Sequence, residues 1–210
     1  MQDLLPIFPL PNVVLFPSIF LPLHIFEPRY RDMVADASTA DRLIGMALLR
    51  PGWEGDYEGR PAVYPIGCSG VITHMERLHD GRYNIVLRGL ERFRIVSEDA
   101  GLSYRRANVE RLAECEPAAE ERGLIRQHRV RLERLLAPIV ERTGNDPAFT
   151  ASMSDEDLVH ALAQYLDLEP IEKQAILERD CLLRRAESLV ELLEMKVLMS
   201  RTPGMPTIAH

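Results

Sequence analysis

At Glu116-Pro117 the apolar residues of this chain change their period from two to about 3.6, which confines the fold to an α+β arrangement with a β-rich part before a helical one. Before that point, alternating stretches at 43–49, 66–78 and 82–96, with a fourth at 104–112, predict strands. In the third stretch Tyr83, Ile85, Leu87, Phe93 and Ile95 share one parity, and Arg82, Asn84, Arg88, Arg92 and Arg94 share the other. That pattern predicts one buried and one wetted face. Asp80-Gly81 predicts a two-residue hairpin turn with positive φ at both residues. Prolines 6, 9, 11, 17, 22 and 28 each remove a ladder donor, so residues 6–28 belong on edges and bends and the sheet is expected to curl into a barrel-like form. Pro28 suits the first turn of a short helix, with Glu27 at the cap beside the positive helix end.

After Pro117, Leu124, His128, Leu132, Leu135 and Ile139 fall on one helix face, leaving Arg122, Arg126, Arg129 and Arg134 for solvent. Ser154-Asp155-Glu156-Asp157 reads as a helix start leading to Leu158, Leu162 and Leu166. Pro170 opens another helix, and Asp180 can cap a last one carrying Ala186, Leu189, Leu193 and Val197. The expected division is residues 1–115 as a β-rich domain, 116–200 as a helical bundle and 201–210 as a structureless tail.

Charge separates the two parts. Residues 1–112 carry 13 arginines against 14 acids, while residues 113–210 carry 12 basic residues against 18 acids, so the formal net charge of −7 sits almost wholly on the helices. That balance disfavours nucleic acid as a partner, because sequence-independent binding needs a basic face. The apolar run Val13–Phe26 contains Pro17 and Pro22 and no basic run precedes it, so it suits neither a signal peptide nor a membrane helix, and a cytoplasmic location is expected. Cys68, Cys115 and Cys181 are isolated and odd in number, so they are expected as reduced thiols, without disulfide or zinc.

The residues offer little to catalysis. Gly67-Cys68-Ser69-Gly70 lacks the closing glycine of a nucleophile elbow, since position 71 is valine. His74, His79 and Asp80 straddle a strand end and a turn at parities unsuited to a shared metal. His128 on an apolar helix face reads as a hydrogen-bonded core histidine. The only lysines, Lys173 and Lys196, lie outside any glycine loop, so no phosphate-cradling motif exists. No cofactor, metal or catalytic residue is expected. Binding has better candidates. Trp53 and Tyr57 lie in a loop rich in glycine and proline, where aromatics can anchor a partner, with the alternative that Trp53 folds back over the sheet. Phe16 and Phe20 belong to an apolar prolyl segment, along with Phe8, Ile19 and Phe26, of which only one or two can remain outside a small core. Glu27, Arg29 and Arg31 could hold charged peptide groups, but a structural corner pairing Glu27 with an arginine explains them more simply.

Three segments taken together resemble a known family: His24-Ile25-Phe26-Glu27-Pro28-Arg29-Tyr30, Gly67-Cys68-Ser69-Gly70-Val71-Ile72, and Asp80-Gly81-Arg82 running on to Gly89-Leu90-Glu91-Arg92-Phe93-Arg94-Ile95. They resemble the N-terminal, substrate-recognition domain of the Lon ATP-dependent proteases. Leu168-Glu169, Glu172-Lys173-Gln174, Leu177-Glu178 and Arg184 extend the likeness towards the C-terminus. The resemblance implies a PUA-like β pseudo-barrel with one short helix, followed by a C-terminal α-helical bundle. It also implies a structural role for Glu27, Pro28, Arg29, Tyr30, Gly67, Gly89, Arg92 and Phe93. Ser18 departs from the family, which commonly has glycine after Phe-Pro, and this bears on the turn there. The function implied is that of a free-standing, non-enzymatic module that binds protein or unfolded polypeptide, with self-association compatible. The β-domain of the ligase receptor cereblon, a module of similar type, suggests an adaptor role. RNA binding by a PUA-like face of Arg82, Arg88, Arg92, Arg94, Arg105 and Arg106 is the alternative.

Overall fold

Six strands make one sheet: β1 (Leu5–Leu10), β2 (Phe20–Ile25), β3 (Leu43–Leu48), β4 (Ile66–Arg77), β5 (Tyr83–Asp99) and β6 (Arg105–Leu112). Among the described residues five α-helices accompany it: α1 (Pro28–Thr39), α2 (Ala119–Thr143), α3 (Asp155–Tyr165), α4 (Pro170–Leu177) and α5 (Leu182–Arg201). This computed structural model describes residues 4–99, 101–143 and 152–201, so the segment read as a tail lies, from residue 202 on, outside the described residues. The α+β class expected from the change of period is what the chain adopts. No helix among the described residues is long and apolar enough to cross a membrane.

The sheet order is β2-β5-β4-β3-β1-β6, and β5 also pairs with β6. The long β5 therefore closes a ring of five strands. β2 lies outside the ring, antiparallel to the first half of β5 from Phe20↔Arg88 to Ile25↔Tyr83. Pro22 stands in this outer strand, where a missing N–H costs no ladder bond. The parallel pair β1–β3 runs from Ile7↔Gly45 to Leu10↔Leu48. Ile7, Phe16, Met33, Ile44, Met46, Ile85, Leu87 and Phe93 are fully enclosed. Side chains of this size each contribute about 2–3 kcal/mol on leaving water.

The chain divides into two compact units: Met1–Ala113 with His160–Glu178, and Glu114–Val159 with Arg179–His210. In the first, α4 is tied to the sheet by hydrogen bonds that alternation does not announce. Gln174 Nε2 donates to the carbonyl of Ile66 at 2.9 Å. Arg92, assigned by parity to the wetted face, is 3% exposed and donates to the carbonyl of Leu177 at 3.2 Å. Arg92 and Phe93 are consecutive in both ladders with no register shift between them, so they point to opposite faces: Phe93 into the core with Leu5 and Ile7, and Arg92 to the face that α4 covers. Pro170 opens α4 with Glu169 and Glu172 in a reciprocal capping box.

In the second unit α2 and α5 pack together. Arg131 pairs with Glu194 at 2.5 Å, and the fully buried Arg185 takes the carboxylate of Glu114 and donates to the carbonyl of Arg179 at 3.1 Å. The buried stripe of α2 is Ile125, Leu132 and Leu136, turned from the expected face, and Leu124 is exposed. Arg129 turns inward because Asp155 holds it at 2.8 Å and Glu133 at 3.0 Å. Ser154 caps α3 as expected, its Oγ accepting the Asp157 N–H at 3.0 Å.

Two turns differ from expectation. The β4–β5 hairpin has a three-residue loop: Leu78 N–H donates to Arg82 O at 2.8 Å and Gly81 N–H to Leu78 O at 2.9 Å. Only Gly81 takes positive φ, at 82°, the geometry of a type I turn followed by a glycine bulge. Ser18 has φ 65°, the left-handed conformation that glycine adopts without steric cost, so the departure from the family is accommodated by strain rather than by another turn.

Candidate functional site

The motif at residues 27–30 builds a corner. Glu27 occupies the N-cap of α1 in extended geometry and Pro28 follows in the first turn, but the Glu27 side chain makes no cap hydrogen bond. Its carboxylate instead accepts from Arg29 Nε at 3.1 Å and from the Tyr57 hydroxyl at 2.6 Å. Arg29 Nη1 donates to the carbonyl of Tyr57 at 3.1 Å, and its guanidinium lies 4.9 Å from the Tyr57 ring centre and 4.7 Å from that of Tyr30. Tyr30 is buried against Phe8, ring centres 4.4 Å apart. Burial, then the bond to Glu27, hold the Tyr57 phenol above its ordinary pKa. Trp53 is half-buried in a short 3₁₀ turn (Trp53–Asp56), edge-on to Tyr57 at 5.4 Å. Thus Tyr57 fastens the 50–61 loop to the start of α1, and Trp53 rests on it.

Beside this corner is a cavity of about 180 Å³ lined by Arg29, Tyr57, Arg60, Tyr104 and Arg105. Its guanidiniums already serve the fold. Arg105 grips Glu98 at 2.6 and 2.8 Å and donates to Pro61 O at 2.6 Å, and Arg60 donates to Asp99 O at 2.9 Å. Arg31 stands apart, its guanidinium beside Gly81 of the hairpin turn.

A larger concavity, about 820 Å³, opens where the five-strand ring is incompletely paired. Leu43 and Val109 supply apolar surface over the buried Leu5 and Phe93, and Arg42, Asp41, Glu91 and Arg111 bring charges of both signs. Leu90, 42% exposed, also lines it. Tyr104 closes one side, its hydroxyl donating to Asp36 at 2.8 Å; burial, then that bond, raise its phenol pKa to about 12. A volume of this order suits a ligand of several residues.

The remaining sequence candidates separate. Phe16 is completely buried, its backbone lying against Gly89, so it is a core residue and presents no surface to a partner. Phe20, 52% exposed on β2, remains at the surface, with its carbonyl accepting from the Tyr165 hydroxyl at 3.1 Å. Gly67 and Gly89 are required by close approach: a Cβ on Gly67 would stand 2.3 Å from the Met46 carbonyl oxygen, and one on Gly89 2.0 Å from that of Phe16. Cys68 is enclosed, and burial pushes its thiol pKa far up. Ser69 donates to the Glu91 carbonyl at 3.1 Å. Among the described residues neither side chain is hydrogen-bonded to a carboxylate or an imidazole. Among the described residues no three His, Cys, Asp or Glu side chains gather as a metal site.

Of the six arginines proposed as an RNA face, Arg92 is buried. Arg82, Arg94, Arg105 and Arg106 are paired with Asp80, Glu110, Glu98 and Asp99 respectively. The groove was the feature that sequence reading missed. Its apolar residues come from four strands, and only the alternation at Ala107 and Val109 hinted that β6 faces it.

Fold and site together define an α+β domain built on a curled sheet that carries a groove of about 820 Å³. Comparison gives the family. The family model described as the ATP-dependent protease La (LON) substrate-binding domain matches residues 4–195. The chain belongs to that family. It is 28% identical over 199 residues to Lon protease 2 of Myxococcus xanthus, covering 92% of this chain and 24% of that protein. It is 27% identical over 202 residues to the Lon protease of Anaeromyxobacter dehalogenans, covering 91% and 23%. It thus spans about a quarter of the length of the curated relatives it matches. Among solved structures it is similar to the N-terminal domain of a Mycobacterium avium complex Lon protease, with TM-score 0.73 at 15% identity over 91% of this chain and 98% of that one. It is also similar to a Lon N-terminal domain protein from Xanthomonas campestris, with TM-score 0.58 at 22% identity over 96% and 99%. These two likenesses concern the fold.

Proposed function

We propose that this chain captures segments of other polypeptides without transforming them, and that the groove beside Val109 and Leu90 is where it does so. The observation that carries the reading is a groove of about 820 Å³ whose lining is as polar as it is apolar, with charges of both signs, in a member of the LON substrate-binding family. Apolar side chains exposed by an unfolded partner would leave water there, while polar groups of its backbone keep polar neighbours. Residues 1–115, which we relate to PUA-like folds, carry recognition in this reading. The C-terminal helices, read as a bundle, complete what we take to be a non-enzymatic adaptor of the cytoplasm. Phe20, Trp53 and Tyr57 are auxiliary contacts, with Tyr57 mainly holding its loop.

Reduced, carboxymethylated α-lactalbumin is permanently unfolded and tests the reading against its native form. Fluorescence anisotropy should detect the unfolded form binding, with a Kd in the micromolar range or tighter, and native α-lactalbumin not binding. Leu90→Glu, at an exposed position, should weaken capture about tenfold or more, through the cost of placing a charge against an apolar ligand. Equal affinity for native and unfolded protein, or an unaltered Leu90→Glu variant, would contradict the assignment.

A further inference from the structure

We propose that the open edge of β6 accepts an extended segment of a partner polypeptide as an added strand, whose alternate side chains enter the groove. This rests on the polypeptide-capture reading and specifies how the groove holds its ligand. β6 is paired with β5 along almost its whole length, from Arg92↔Leu112 to Asp99↔Arg106. On its other side β1 covers only Arg105, Arg106 and Ala107. Beyond Ala107 that side has no strand partner among the described residues.

Hydrogen-bond parity shows which groups are left. Ile95 N–H donates to Pro65 O at 2.8 Å, so the main-chain groups of Ile95 face away from β6. In an antiparallel ladder its partner Val109 then turns its own N–H and C=O away from β5, towards the open side. Arg111, two residues on, does the same, while Ala107 in the same parity is covered by Leu5. Two donors and two acceptors therefore line the edge of a groove, where an unpaired sheet edge attracts strands. A residue opposite Val109 would point its side chain the way Val109 does, towards Leu5 and Phe93, and the next residue would point away. The groove therefore selects segments with apolar residues at alternate positions, and its mixed charges impose no net sign.

A second copy of this chain fits less well. The outer edge of β2, the other strand outside the ring, lacks an N–H at Pro22 in its middle, and the β6 edge is recessed in a concavity beside the end of α1.

The probe is a short fluorescein-labelled peptide alternating valine and threonine, compared with two backbone-methylated forms. Methylation of the valine amides, which would face β6, should lower affinity about tenfold or more, whereas methylation of the threonine amides should leave it within about twofold. Amide exchange at Val109 and Arg111 should slow on adding the unmodified peptide. Arg111→Pro, which removes an edge donor at an exposed position, should weaken binding to a similar degree. If all three peptides bind alike, or bind without protecting those amides, strand addition is wrong while polypeptide capture stands. If neither the peptide nor carboxymethylated α-lactalbumin binds, both are wrong. Protection in the free chain overturns the proposal too: lost on dilution with a dimer, it assigns the edge to a second copy, and lost on deleting residues 1–3, to the chain's own N-terminus.

Discussion

Gly89 leaves no room for a side chain, because a Cβ there would stand 2.0 Å from the Phe16 carbonyl oxygen, and that atom belongs to backbone which cannot swing aside. Gly89→Ala should therefore cost about 3 kcal/mol in urea unfolding, as overpacking of a well-filled interior does. Ser18 donates its N–H to the Gly89 carbonyl at 2.9 Å from a left-handed conformation. Ser18→Gly should relieve that strain and raise stability by about 0.5–1 kcal/mol, less than the full steric term because glycine also frees the unfolded chain. Tyr104 links stability to alkaline pH. Its phenol, raised to about 12 by burial and then by the Asp36 bond, ionises in the unfolded chain first. Its contribution is whole below about pH 10, and stability falls as pH rises from there towards about 12. Tyr104→Phe should show a shallower fall over that window in urea midpoints measured between about pH 8 and about pH 11.5.

At the level of elements, β2 shows how a proline protects an exposed aromatic strand. Phe20, Pro22 and His24 face outward on a strand paired only with β5, and Pro22 leaves the outer edge without a donor midway. Pro22→Val would restore that donor within a strongly β-forming run. Light scattering should then show concentration-dependent association that the unaltered chain does not show. The strands themselves were legible because apolar residues recur with period two. The expected spans at residues 43–49, 66–78, 82–96 and 104–112 lie within a few residues of β3 to β6. The hairpin turn was misread by one residue, since Asp80-Gly81 signals a glycine in positive φ but does not say whether one or both residues take it. The groove was illegible for a deeper reason. It exists because β1 stops pairing with β6 at Leu5, and the extent of a pairing between residues about a hundred apart leaves no local mark.

Taken whole, the first compact unit includes residues 160–178, which come from beyond the change of period. Alternation placed Arg92 in water, yet it is enclosed and bonded to a helix 85 residues further on, and the Ile66 carbonyl takes its donor from Gln174 across 108 residues. A fragment of residues 1–115 should lose these bonds. It should unfold at lower urea than the full chain, or with a broader transition, as read by circular dichroism. Buried Arg185 ties the other unit in the same fashion. Glu114→Ala, leaving that guanidinium without its carboxylate, should destabilise by about 3 kcal/mol. The Arg92 link also has a meaning in time. Synthesis proceeds at about 5–20 residues per second, so a nascent chain carries Arg92 for roughly 4–17 s before the carbonyl of Leu177 has been made. Once Leu112 has been made, and for the roughly 3–13 s that the chain then takes to reach Leu177, the sheet is complete in sequence but unsealed, and a ribosome stalled there would present an arginine meant for the interior to whatever protease or chaperone is nearby.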